Sequence, residues 1–153
     1  MPDLTVLSVG RDPAIVRWVD EEMRRLPGPR LAHFDDAEAA CDFATDSETG
    51  DRLGLILVQV AGDPELSDVT RLLWVSSTLR RPVPVVVVSE RYQVGRASTL
   101  FQLGVTDCLS RSHHRDRLSA VIETLAVRSR REGTPVPADA RSTPDRRSLV
   151  SVS

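Results

Sequence analysis

Lysine is missing from this sequence: all twenty basic side chains are arginine. That absence removes every chemistry that needs a side-chain amine. A basic excess is missing too. Twenty arginines face twenty-two acidic residues, a net charge of −2, which is not the balance of an electrostatic nucleic-acid binder. Cysteine is scarce. Cys41 and Cys108 lie far apart and belong to no metal-ligand spacing, so a reduced, cytosolic protein without a metal site is expected. No apolar run approaches the ~18 residues that would span a bilayer. The chain opens almost directly on a strand-like run, without a charged leader and apolar core, so a cytoplasmic location is expected.

What is present suits one domain. A chain of 153 residues, 41% hydrophobic and 27% charged, has the length and balance for a single soluble globular core. Leu4–Val9 reads as a buried strand bounded by Gly10. Asp12-Pro13 gives a helix cap followed by proline at the first helical position. Ile15, Val16, Val19, Met23 and Leu26 follow at helical spacing until Pro27-Gly28-Pro29. Arg30–Phe34 is a weak strand, and Asp35 or Asp36 caps a short Ala-rich helix ending near Thr45, with a turn over Ser47–Asp51. Leu53–Val60 is apolar enough to be a central parallel strand buried on both faces.

After that strand, Asp63 caps a third helix with Leu66, Val69, Leu72, Leu73 and Leu79 on its inner face. Pro82–Ser89 holds the strand Val85-Val86-Val87-Val88. A helix from about Tyr92 to Leu103 ends at Gly104, Asp107–Ser110 is a short fifth strand, and a last helix ends near Arg131. Strand and helix alternate five times, which predicts a doubly wound α/β sandwich with a five-stranded parallel sheet over residues 1–131. Residues 132–153, with three prolines and a glycine among small and charged residues, read as a flexible tail or a linker to an output domain beyond Ser153.

Several doubly wound families fit this alternation, and the strand ends choose among them. Val6-Leu7-Ser8-Val9-Gly10-Arg11-Asp12-Pro13 resembles the opening of response-regulator receiver domains, where the first strand ends in two acidic residues. Leu55-Ile56-Leu57-Val58-Gln59-Val60 resembles their third strand, which ends in the phosphoacceptor aspartate. Val83-Pro84-Val85-Val86-Val87-Val88-Ser89 is similar to the fourth strand with its terminal hydroxyl residue. Gly104–Arg111 is similar to the segment leading to the family's lysine-proline pair. The resemblance covers roughly residues 4–128 and implies a (βα)5 receiver fold.

The same resemblance implies a degenerate phosphorylation pocket, that of a pseudo-receiver. The magnesium-holding acidic positions fall on Gly10 and Arg11, the phosphoacceptor on Gln59, the lysine on Arg111 and its proline on Ser112; Ser89 keeps the hydroxyl. An amide cannot form an acyl phosphate, and magnesium needs hard oxygen ligands where Gly10 has no side chain and Arg11 a cation. Cation against cation at ~4 Å would cost several kcal/mol at an effective ε of about 20. Arg11 is expected to fill the metal's place and pair with Glu90 or Asp12; Asp12 and Asp63 read as helix caps. The competing reading places Arg11 and Arg111 on either side of a cleft that binds an anion or nucleotide.

Other candidates are weaker. His113 and His114 read as solvated loop residues, with neither a cysteine nor the third histidine near them in sequence. Cys108 stands where receivers place a switching aromatic and reads as a small half-buried residue. Trp18 and Trp74 read as core-edge helix residues. The charges at Arg128, Arg130, Arg131, Arg146 and Arg147 suit a helix end and a linker, and no nucleic-acid motif follows residue 131. No Ser-His-Asp arrangement at nucleophile-elbow spacing or glycine-rich phosphate loop supports an enzyme.

The expected function is therefore phosphorylation-independent signalling of the two-component type, by protein–protein contact, with no cofactor. The resemblance implies a homodimer or a docked partner on the face made by the fourth helix, fifth strand and fifth helix. Tyr92, Arg96, Gln102, Arg115 and Arg117 are its anchor residues. An output module for transcription activation or a kinase would follow the tail.

Overall fold

The computed structural model describes residues 4–46, 51–60 and 66–133. Five strands, β1 (Thr5–Val9), β2 (Arg30–Phe34), β3 (Leu53–Gln59), β4 (Val85–Ser89) and β5 (Asp107–Ser110), alternate with α1 (Pro13–Arg24), α2 (Ala37–Thr45), α3 (Leu66–Thr78), α4 (Val94–Leu103) and α5 (Leu118–Gly133). A 3₁₀ turn over Arg115–Arg117 leads into α5. The strands form one parallel sheet in the order β2-β1-β3-β4-β5, the doubly wound order expected from the alternation.

A parallel sheet must be covered on both faces, and two apolar layers do so. One joins α1 (Ile15, Trp18, Val19, Met23) and α5 (Leu118, Ile122, Ala126) to Val6, Leu55, Leu57, Val86 and Val88. The other joins α2, α3 and α4, through Ala40, Leu72 and Leu100 among others, to Leu7, Val58 and Val87. Caps set where the helices begin. The Asp12 carboxylate accepts from the Ala14 N–H at 2.9 Å with Pro13 next to it, and Asp36, not Asp35, caps α2 by accepting from the Ala39 N–H at 2.8 Å. Gly104 ends α4 in the left-handed region at φ 117°.

The strands Arg30–Phe34 and Asp107–Ser110 fall where the sequence placed them, while β4 begins at Val85 and α4 at Val94. The later starts follow the prolines at 82 and 84 and the Gln93 cap. The tryptophans divide. Trp18 is 3% exposed within the α1–α5 layer and donates its indole N–H to the Arg115 carbonyl at 3.2 Å, whereas Trp74 is 67% exposed on α3. The inner face of α3 carries Val69, Leu72 and Val75, with Leu73 and Leu79 half-buried. The side chain of Leu66, the Asp63 cap, the Ser47–Gly50 part of the turn and residues 134–153 lie outside the described residues, as do the side chains of Arg128, Arg130 and Arg131.

The two indoles give an internal contrast in stability. Trp18→Phe keeps most of the buried ring but strands the Arg115 carbonyl, and should cost about 1–2 kcal/mol. Trp74→Ala should stay within about 0.5 kcal/mol of the parent. Urea denaturation of both variants, followed by circular dichroism, checks the pair.

Candidate functional site

The strand order reverses between β1 and β3, so the carboxyl ends of these two strands open the crevice where α/β sheets take ligands. Gly10 and Gln59 stand there. Gly10 has φ 144°, a region that favours glycine, and its N–H donates to the Phe34 carbonyl at 3.0 Å. A Cβ on Gly10 would lie 2.3 Å from Gln59 Cδ, 2.4 Å from its Cβ and 2.5 Å from its Cγ. The glutamine side chain therefore occupies the space that only a glycine leaves. Its Oε1 accepts the Asp12 N–H at 2.9 Å, which ties the end of β3 to the β1–α1 loop. Its Nε2 is buried without a hydrogen-bond partner among the described residues.

Arg11 does not fill this space. It is exposed at the rim and forms no ion pair among the described residues. It lines a cleft of about 560 Å³ with Gly10, Asp12, Asp35, Asp36, Gln59 and Asp68. The pairing expected between Arg11 and Glu90 or Asp12 is thus corrected. Glu90 belongs to Arg111, whose Nε donates to Oε1 at 2.9 Å, and Asp12 is occupied as a cap. The reason is the strand order. Arg111 N–H donates to the Ser89 carbonyl and Ser112 N–H to the Glu90 carbonyl, extending the β4–β5 register past the strands, while β3 separates β4 from Arg11. The hydrogen bond and charge of Glu90 hold the Arg111 guanidinium above its ordinary range.

Among the described residues, Arg111 does not line the cleft that Arg11 lines. Ser89, the retained hydroxyl, donates locally to the Arg91 carbonyl at 3.0 Å. Gly10 offers no side-chain ligand, Gln59 Oε1 accepts a backbone N–H, and among the described residues no three His, Cys, Asp or Glu side chains converge on a metal-sized site.

Near β5, burial and then Asp107 push the Cys108 thiol up to about 11, which makes it inert packing. His113 and His114 are more engaged than loop histidines need be: the Ser110 N–H donates to His114 Nδ1 at 3.0 Å, and the Tyr92 ring meets His114 edge-on at 5.2 Å. Across β1 and β2, His33 lies 3.1 Å from Ser8 Oγ and 3.5 Å from Asp35. This trio has the composition of a catalytic triad, but Ser8 is buried within the sheet and cannot reach a substrate.

Of the expected interface residues, Tyr92, Gln102, Arg115 and Arg117 are exposed, and Arg117 reaches Asp107 at 4.0 Å. Arg96 is half-buried and lines a smaller cleft with Asp12, Ser89 and Glu90. The sequence reading missed Val94, which is 75% exposed, and the exposed Phe101 and Leu103. The helical register gave no signal for them: 94 and 101 stand three and four residues from the inward Ala97, and 103 three from Leu100. All three flank the inward face, and their exposure is a finding of the structure. A shallow, mostly apolar groove of about 300 Å³ runs beside β5, between Thr106 and Asp107 on one side and Ala120, Val121, Thr124 and Leu125 on α5.

No family model matches this sequence, and no curated protein matches it. Solved structures do match in fold. A signal receiver domain from Vibrio parahaemolyticus superposes with a TM-score of 0.66 at 22% identity, covering 85% of this chain and 95% of that one. The phosphorylated cyanobacterial phytochrome response regulator RcpA gives 0.58 at 19%, covering 80% and 90%. The pilus assembly protein CpaE from Caulobacter crescentus gives 0.60 at 18%, covering 82% and 95%. The chain therefore has the flavodoxin-like fold of response-regulator receiver domains. Among the described residues no helix is long and apolar enough to cross a membrane.

The fit of Gln59 against Gly10 generates a mutational prediction. Gly10→Ala should cost about 2–4 kcal/mol, from the left-handed backbone and the clash together. Gln59→Ala removes two of the three clashing atoms, so adding it should recover about 1 kcal/mol and no more. A double-mutant cycle by chemical denaturation reads the coupling, and strict additivity would refute the contact.

Proposed function

We propose that this chain is a pseudo-receiver: a phosphorylation-independent, non-enzymatic signalling module of the two-component type that acts by protein contact. The observation that carries the reading is Gln59. At the carboxyl end of the central strand an amide replaces the carboxylate that would accept a phosphoryl group, and it already bridges β3 to the β1–α1 loop through the Asp12 N–H.

The output surface in this reading is the face of α4, β5 and α5. It carries the exposed Tyr92, Val94, Phe101 and Leu103, flanked by Arg115 and Arg117 and by the apolar groove along β5. Aromatic and arginine side chains around an apolar centre are what protein interfaces favour. A homodimer or a docked partner is the expected occupant, with an output domain carried after the tail. The anion-sensor reading has less support, because among the described residues Arg111 does not line the cleft that Arg11 lines, and its guanidinium is paired with Glu90. The receiver fold alone does not choose the output, since it also occurs in a pilus assembly protein.

Two measurements test this function. Incubation with acetyl phosphate, or with beryllium fluoride and magnesium, should leave the intact mass and the amide spectrum unchanged. A stable adduct on any aspartate of the cleft overturns the reading. Separately, Val94→Glu with Gln102→Glu changes two exposed side chains and should cost within about 0.5 kcal/mol each. Self-association or partner capture, read by sedimentation or pull-down, should weaken about tenfold or more, the effect of losing ~1.4 kcal/mol. Trp74→Glu on α3 should leave it intact, and the reverse pattern would move the interface to α3.

A further inference from the structure

We propose that His114 is an acid-sensitive latch, joining the β4–α4 loop to the start of α5 and releasing Tyr92 when it is protonated. The latch is a property of the folded chain and does not depend on the signalling role. It rests on the kind of bond His114 makes. Its Nδ1 accepts a backbone N–H, that of Ser110 at 3.0 Å, while the backbone N–H of His114 donates to the Ser110 carbonyl at 2.7 Å. The β5–α5 loop is folded back on the last residue of β5 by this pair. A neutral imidazole with its proton on Nε2 satisfies the arrangement. An imidazolium carries a proton on both nitrogens, so its Nδ1–H would face the Ser110 N–H at 3.0 Å, donor against donor. The other group near it is the Ser110 hydroxyl at a longer 3.4 Å, which already accepts the His113 N–H at 3.2 Å.

His113 is different, although it lies beside His114 with ring centroids 6.2 Å apart. Its Nδ1 is 2.9 Å from Ser112 Oγ and 3.3 Å from Ser110 Oγ. Hydroxyl groups rotate to donate or accept, so protonating His113 strands no donor.

The latch reaches α4 through Tyr92, whose ring meets the His114 ring at 5.2 Å and 82°. Tyr92 lies two residues before the first residue of α4, and the Gln93 cap of that helix makes no side-chain capping bond. Tyr92 is therefore the contact from His114 to the segment that leads into α4. The groups that act on His114 are Arg117 from the 3₁₀ turn and His113 from its own loop, both opposing protonation, and Asp107 from β5, favouring it, with the Tyr92 phenol from the β4–α4 loop. Burial, then Arg117 and His113, hold the imidazole below the ordinary histidine range. The folded chain thus gives up protons more readily here than the unfolded one. The stabilisation is present above the ordinary value of about 6.5 and is lost as pH falls through the lower folded value.

Amide and aromatic NMR of the whole chain between about pH 7.5 and about pH 5 tests the latch across the histidine range. The Ser110 amide, the Tyr92 ring and the amides of Val94–Ala97 should move together, with one midpoint below about 6.5. His114→Asn supplies a carbonyl acceptor that does not titrate and should abolish this shared movement, while His113→Asn should preserve it. Should the asparagine variant not fold, long-range nitrogen spectra of the parent decide: Nδ1 of His114 must be unprotonated near neutral pH. A protonated Nδ1 there, or a Ser110 amide that does not follow His114, overturns the proposal. So does a shared transition that survives in His114→Asn.

Discussion

The constraint on which everything else in this chain rests is that β3 is covered on both faces. Leu55, Ile56 and Leu57 are fully buried, and the strand lies between β1 and β4 with no edge exposed to water. Such a strand cannot shift by one residue without moving its whole side-chain set to the wrong layer. Its position therefore fixes the two helical layers, α1 with α5 and α2 to α4. It also fixes where burial first relaxes, at Gln59, where β1 and β3 part toward the crevice.

Around that crevice the polar groups are mostly spent on one another. Asp12 and Asp36 cap helices, Ser89 closes its own loop, Arg111 holds Glu90, and Ser110 engages His114. The Arg111–Glu90 pair joins the ends of β4 and β5, and the other contacts fix the start of a helix or the path of a loop at the carboxyl edge of the sheet. Among the described residues, the exceptions include the exposed Arg11 and the unpartnered amide nitrogen of Gln59. A pocket whose donors and acceptors are already paired has little left to offer a ligand, and that directs attention to the outer surfaces of the helices.

Much of the frame was legible in the sequence because the signals were local. Asp12-Pro13, Gly104 and the valine run of β4 each announce a boundary through backbone chemistry that acts within a few residues. The choice between Asp35 and Asp36 was not legible, since both can cap and only the trajectory out of β2 decides. Arg11 was misplaced for a related reason. Which acid it could reach depended on which strand lay between, and sequence distance does not carry that. Trp18 was read as lying at the edge of the core and is buried within it, because its position on α1 also faces the turn before α5. The exposure of Phe101 and Leu103 was not legible either, because each stands three or four residues from an inward residue and only the packing of α4 on the sheet decides how far its apolar face extends.

Gly10 carries one more consequence, and it concerns history. In the proposed reading, this glycine and glutamine stand where receivers carry carboxylates at both strand ends. The left-handed backbone at residue 10 would place a Cβ there 2.4 Å from the Cβ of residue 59. Restoring an acid at residue 10 therefore meets a collision that no exchange at 59 short of glycine removes, and the loop itself would have to be laid down again. A descent that passes through such a backbone change runs one way: each single step back is strained before the next can relieve it. The loss would then act as a ratchet, which keeps the chain committed to its fixed surface long after the selection that produced it has lapsed.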